Sequence, residues 1–145
     1  MPVLWGVAAL VLFVIWGLSQ DETTVSGTTC MTLSYAQILV LAQNAGFGDD
    51  APTAAAIALA ESSGRTAVEG DVALGGSIGL WQIYTVMHHC WTPAQLTDPA
   101  TNAAAAFQIY QAAGGFSPWT TYKTGAYEKY LPTCCGGCNY CTCVG

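Results

Sequence analysis

The chain has 145 residues, 52% of them apolar and only 8% charged, against roughly a quarter charged in an ordinary soluble domain. Its net charge is −6 and its cations are Arg65, Lys123 and Lys129 alone, so it lacks the basic stripe that nucleic acid would require. The length suits one compact domain with a real core, and seven cysteines point to oxidised or metal-bound thiols outside the cytosol.

The first element is Val3 to Leu18, VLWGVAALVLFVIWGL, sixteen residues without a charge. As a helix rising about 1.5 Å per residue it spans roughly 24 Å, short of the ~30 Å hydrocarbon core of a bilayer. Trp5 and Trp16 stand near its two ends, where indoles favour the membrane interface. A cleaved signal peptide and a buried core helix are the rival readings. The lack of a basic leading region and of a small-x-small cleavage site favours an uncleaved anchor, so residues 1–19 are read as a membrane anchor. Asp21 and Glu22 favour the C-terminal side facing out. A polar linker follows, taken to residue 33.

Ser34-Tyr35-Ala36-Gln37 has the spacing of a capping box, Ile38, Leu41 and Ala42 repeat at helical spacing, and Gly46 stops that helix. Asp50 and Pro52 open a second helix, Thr53 to about Ser62, closed by Gly64. Leu74 to Tyr84 is glycine-rich and reads as a loop or small hairpin. Thr92-Pro93 and Asp98-Pro99 are cap-plus-proline helix starts, the second opening an Ala-rich helix that ends at Gly114-Gly115. Ser117-Pro118 starts another helix, interrupted at Gly125 and fading near Pro132. Residues 34–131 are thus a mainly helical domain of five or six short helices with a small β or loop region.

Glu61 stands at the end of an Ala/Ile/Leu run. The helix macrodipole there disfavours a carboxylate by only ~0.3–1 kcal/mol, whereas burial among Ala58, Leu80 and Trp81 would do much more. A carboxyl kept neutral in that way is what a general acid needs, and an ordinary solvated helix end is the bland alternative. Local physics alone leaves both open.

The residues that follow add weight. Glu61-Ser62-Ser63-Gly64, then Ser77-Ile78-Gly79-Leu80-Trp81-Gln82-Ile83, then Asp98-Pro99-Ala100-Thr101-Asn102-Ala103 form an ordered series. It is completed by Gly115-Phe116-Ser117-Pro118-Trp119-Thr120-Thr121-Tyr122-Lys123-Thr124-Gly125-Ala126-Tyr127. This series resembles the lysozyme-like, soluble-lytic-transglycosylase-type domains that cut peptidoglycan, particularly the compact versions carried by bacteriophages. The resemblance implies a lysozyme-like α+β fold, peptidoglycan glycan strands as substrate and no cofactor. It makes Glu61 the catalytic acid/base, with Ser62 fixing it or contacting the sugar and Gln82 binding the acetamido-sugar region. Gly79 would let the backbone approach the glycan, Asn102 would support the site, and Tyr122 or Tyr127 would orient the carboxyl. The last motif departs from the commoner Ala-Tyr-Asn-Ala/Gly form. With the anchor, the resemblance implies a virion component outside the cytosol, tied to a bilayer through residues 3–18 and open to contact with other virion proteins. A degenerate, non-catalytic wall-binding protein is the second class, and the retained Glu61 argues against it.

The bland readings stand beside these. Trp81, Trp91 and Trp119 suit core or cleft wall, Ser62 a helix-end hydrogen bond, Asn102 a buried structural amide and Asp98 a helix cap. His88-His89 with Cys90 invites a metal reading, but adjacent histidines on a helix point apart, so no metal site is expected. A hydrolase would need a second carboxylate, for which Glu69 and Asp71 are the candidates, and a transglycosylase would not. The tail, residues 132–145, contains CCGGCNYCTCVG, which cross-links or zinc must order if anything does, disulfides being favoured. Cys30 and Cys90 are natural partners for each other or for this tail.

Overall fold

The computed structural model describes residues 30–70 and 76–133. The expected anchor, most of the linker, Asp71 and the cysteine-rich tail from residue 134 lie outside the described residues. Among those described, no helix is long and apolar enough to cross a membrane.

Helix α1 (Tyr35–Ala45) starts at the expected capping box: the Gln37 amide donates to the Ser34 hydroxyl, and the Ser34 amide donates to Gln37 Oε1 at 2.9 Å. It stops at Gly46, whose φ of 110° disfavours any L side chain, and where a Cβ would meet the Phe107 ring at 2.9 Å. A 3₁₀ turn (Gly48–Asp50) then runs straight into α2 (Ala51–Ser62), which begins earlier than the expected Thr53. Asp50 makes no side-chain cap. Its carboxylate instead accepts from the Tyr110 hydroxyl. Ala51, Ala54, Ala55, Ala56, Ile57 and Ala58 are all fully buried, so α2 is apolar on every side and occupies the middle of the domain.

Residues expected to belong to the linker are docked on the domain. Thr32 bridges Arg65 antiparallel, the Leu33 amide donates to the Gly64 carbonyl at 2.8 Å, and the Thr66 amide donates to the Met31 carbonyl at 2.9 Å. Gly64 makes this possible, because a Cβ there would lie 2.3 Å from the Leu33 carbonyl oxygen.

The glycine-rich region holds a small antiparallel sheet in the order β1 (Glu69–Gly70), β2 (Ser77–Ile78), β3 (Ile83–Tyr84), with Ile78 opposite both Glu69 and Ile83. Thr92 and Asp98 cap α3 (Pro93–Leu96) and α4 (Pro99–Ala113) as their prolines promised, and Gly114 ends α4 in the left-handed conformation. The fifth helix departs from expectation: α5 covers Thr120–Lys123 and does not begin at Ser117-Pro118. Trp119 explains the delay. Its indole N–H donates to the Trp81 carbonyl at 2.9 Å and its ring packs edge-on against Phe116, which fixes its backbone in an extended conformation. A second 3₁₀ turn (Glu128–Tyr130) closes the described chain and packs on α2. Phe47 ties the aromatic side of the core together, stacked on Phe116 at 5.9 Å and edge-on to Phe107 at 5.1 Å.

Candidate active site

Glu61 is the penultimate residue of α2 and lines a cleft of about 310 Å³. One wall is the sheet, through Ser77, Gln82, Ile83 and Tyr84, and the other is the segment Pro118-Trp119-Thr120 that leads into α5. Ala58, Leu80 and Trp81 are fully buried as expected, but Glu61 itself is only half-buried because it faces this opening. Its Oε1 accepts a hydrogen bond from the Thr121 hydroxyl at 2.7 Å. A hydrogen bond of that length fixes which way the carboxyl group lies.

The two walls are joined where the Trp119 indole N–H bonds the Trp81 carbonyl, and the turn that carries Trp81 is held from α4 by Asn102. This fully buried side chain on α4 accepts from the Trp81 amide and donates to the carbonyls of Ile78 and Leu96, each at 2.9 Å. Its three bonds tie the β2–β3 turn and the end of α3 to α4, with none of its own polar atoms left without a partner. Trp81 in turn pins the β2–β3 turn onto α2, its indole N–H donating to the Ala54 carbonyl at 2.9 Å. Asn102 is therefore buried support for the site, out of reach of the cleft. Gly79 has a related reason. At φ 79° a Cβ would stand 2.3 Å from Asn102 Nδ2 and 2.5 Å from the Leu96 carbonyl oxygen, so the close approach there is to Asn102 and not to a glycan.

Gln82 completes the turn at φ 47°, a left-handed conformation uncommon for a residue with a side chain. Its amide nitrogen donates to the carbonyls of Gly79 at 3.0 Å and Val68 at 3.2 Å, which leaves Oε1 as the atom able to accept from a ligand. Gly70 makes room for that oxygen, since a Cβ at Gly70 would lie 2.4 Å from it. Gln82 lines the cleft beside Glu61, as the sequence led one to expect.

The family model of the lysozyme-like domain matches residues 39–121, more than half of the chain. The chain belongs to the lysozyme-like domain family. Membership identifies it as a peptidoglycan-acting glycosidase or transglycosylase. No curated protein and no solved structure matches it.

Within this lysozyme-like domain three of the expected site residues lie away from the cleft lining. Ser62 is buried, its hydroxyl donating to the Ala58 carbonyl at 2.9 Å and accepting from the Gly64 amide at 3.2 Å, so it finishes α2 and does not reach a sugar. Tyr122 and Tyr127 stack on each other with centroids 5.1 Å apart and neither lines the cleft. Burial, then the neighbouring Tyr122 and Glu128, raise the Tyr127 phenol above its usual range. The hydroxyl that orients Glu61 belongs to Thr121. It was within the quoted motif, but the helix starts two residues later than proline suggested, and that start decides which residue faces α2.

Cys30 and Cys90 are separate exposed thiols, so the pairing of one with the other is not made. His88 also lines the cleft, and burial together with the adjacent His89 holds its pKa below the ordinary imidazole value. Glu69 is exposed on β1 and outside the cleft lining.

Proposed function

We propose that this protein cuts the MurNAc–GlcNAc bond of peptidoglycan with Glu61 as its acid and base, by the lytic transglycosylase route. The observation that carries the reading is the position of Glu61: among the described residues it is the one carboxylate lining the cleft, and the Thr121 hydroxyl of α5 bonds it at 2.7 Å. In this reading Glu61 gives its proton to the leaving glycosidic oxygen as the C1–O bond breaks. The carboxylate left behind then takes the proton of the sugar's own 6-hydroxyl as that oxygen bonds to C1, which regenerates the acid and releases a 1,6-anhydro product. The charge-free run at residues 3–18 and the phage-type resemblance support a membrane-anchored virion component that opens the wall at infection, with its catalytic domain outside the cytosol.

Digestion of purified cell wall with the full-length protein, followed by mass spectrometry of the muropeptides, tests the reading. Anhydro ends one water lighter than reducing sugars are expected, and Glu61→Gln abolishes cleavage while the melting temperature is kept. Undiminished cleavage by Glu61→Gln sinks the assignment of the acid. Reducing ends throughout, with activity lost in Glu69→Gln or Asp71→Asn, make the enzyme a hydrolase.

A further inference from the structure

Away from the Glu61 cleft, a groove of about 500 Å³ runs between α1 and the start of α4, lined by Leu33, Ala36, Gln37, Val40, Leu41 and Pro99. Val40 is 52% exposed, and Leu33 and Leu41 are only partly covered by the core. None of the six is charged, and α1 as a whole, YAQILVLAQNA, has no charged residue. Gln37 is the one polar side chain, and its Oε1 already accepts from the Ser34 amide at 2.9 Å in the capping box. An apolar occupant therefore displaces water that has little to bond here. Where the chain enters the fold narrows the choice of occupant. The bonds from Leu33 to Gly64 and from Thr66 to Met31 fix that entry, and Leu33 is also part of the groove. Upstream lies the charge-free run 3–18, joined through Gln20 to Thr29, ten residues that reach at most about 36 Å. Helix α1, with eleven residues, is only about 16 Å long, so the run reaches every part of the groove. A tether of that length acts as a local concentration on the order of millimolar. A second copy would instead bring a net charge of −6 against another −6, with the Asp98 that adjoins Pro99 close to the contact.

We propose that this groove is a docking site for the chain's own residues 3–18, which lie along α1 when no bilayer is there to take them. The groove follows α1 for about two turns, so it holds part of the run, as an apolar segment laid in a groove. A bilayer competes for the same segment, so docking and anchoring exclude each other and the supply of membrane decides between them. Nothing in this depends on the chemistry at Glu61. The test places photoreactive benzoylphenylalanine at Val40 of the full-length protein in lipid-free buffer and maps the cross-links by mass spectrometry. A product of single-chain mass that links residue 40 to residues 3–18 is expected. The same probe at Gln111, exposed and about 18 Å further along α4 than Pro99, is the control. With the probe moved to Ala36, Val40→Asp is expected to lower the yield about tenfold, the scale of a carboxylate set into an apolar contact, and Val40→Leu to keep it. A product of two-chain mass overturns the proposal by naming a second copy. So does a yield no higher than from Gln111, or lipid adducts at residue 40 on phosphatidylcholine vesicles with no link to 3–18 in their absence. A link that persists undiminished beside the vesicles leaves the docking in place and removes the anchor reading instead.

Discussion

At the scale of single residues, the contact between Thr121 and Glu61 joins α5 to the end of α2 and has no other evident purpose. A hydroxyl donating at 2.7 Å selects one carboxylate orientation, and misplacing a reacting group by about an ångström can slow a reaction ~100-fold. Thr121→Val keeps the shape and deletes the donor. It is expected to lower kcat on cell wall by at least about tenfold with KM near the native value, and Thr121→Ser to restore most of the rate. An unchanged kcat would reduce the bond to ornament. His88 gives a second expectation. Its folded pKa lies below the ordinary value of 6.5, because burial and then His89 disfavour its cation. As pH falls through about 6.5 the unfolded chain takes up the proton first, so this part of the stability is present above that pH and is lost below it. Melting temperatures measured from about pH 8 to pH 5 are expected to fall less steeply on the acid side in His88→Gln.

Among the elements, the clamp from α4 to the β2–β3 turn makes the strongest demand. Asn102→Ala removes three buried hydrogen bonds, to the Trp81 amide and the carbonyls of Ile78 and Leu96, and is expected to cost ~2–4 kcal/mol in denaturant unfolding. Asn102→Asp is no rescue, since a carboxylate cannot donate to two carbonyls. Gly79→Ala is expected to destabilise as much, from its left-handed φ and its collision with Asn102. The legibility of the chain followed the range of the interactions. Helix starts at Ser34, Thr92 and Asp98 and the stops at Gly46 and Gly114 are local chemistry, a side chain bonding a backbone group three residues away or a glycine turning left, and each was readable. The pairing of Glu61 with Thr121 joins residues sixty positions apart, and no spacing rule reaches that far. The late start of α5 has the same cause, for it depends on an indole bonded to a carbonyl 38 residues earlier. Motif order pointed to three segments that line the cleft, those of Glu61, Gln82 and Pro118. Which side chain in each segment faced the cleft was decided by packing.

For the molecule as a whole, the reading of residues 3–18 as an anchor predicts that the full-length protein floats with liposomes in a density gradient and that a chain beginning at Asp21 stays with the soluble fraction. Full-length protein found free of lipid would remove the anchor. Under the anchor reading, the clip between Met31–Leu33 and Gly64–Thr66 bears on how a tethered domain would carry load. Its bonds begin two residues beyond Ser62, where α2 ends, so a pull along the N-terminal chain is taken up beside the helix that carries Glu61. Load would reach the end of α2 before it reaches α4 or the aromatic cluster. With an anchor at residues 3–18, the Glu61 cleft and the point of attachment would move as one piece, and the segment between them would set the working radius. Gln20 to Thr29 is ten residues, which at full stretch reach no more than about 36 Å. A domain anchored on so short a leash would act only on wall within that distance of the bilayer it is tied to.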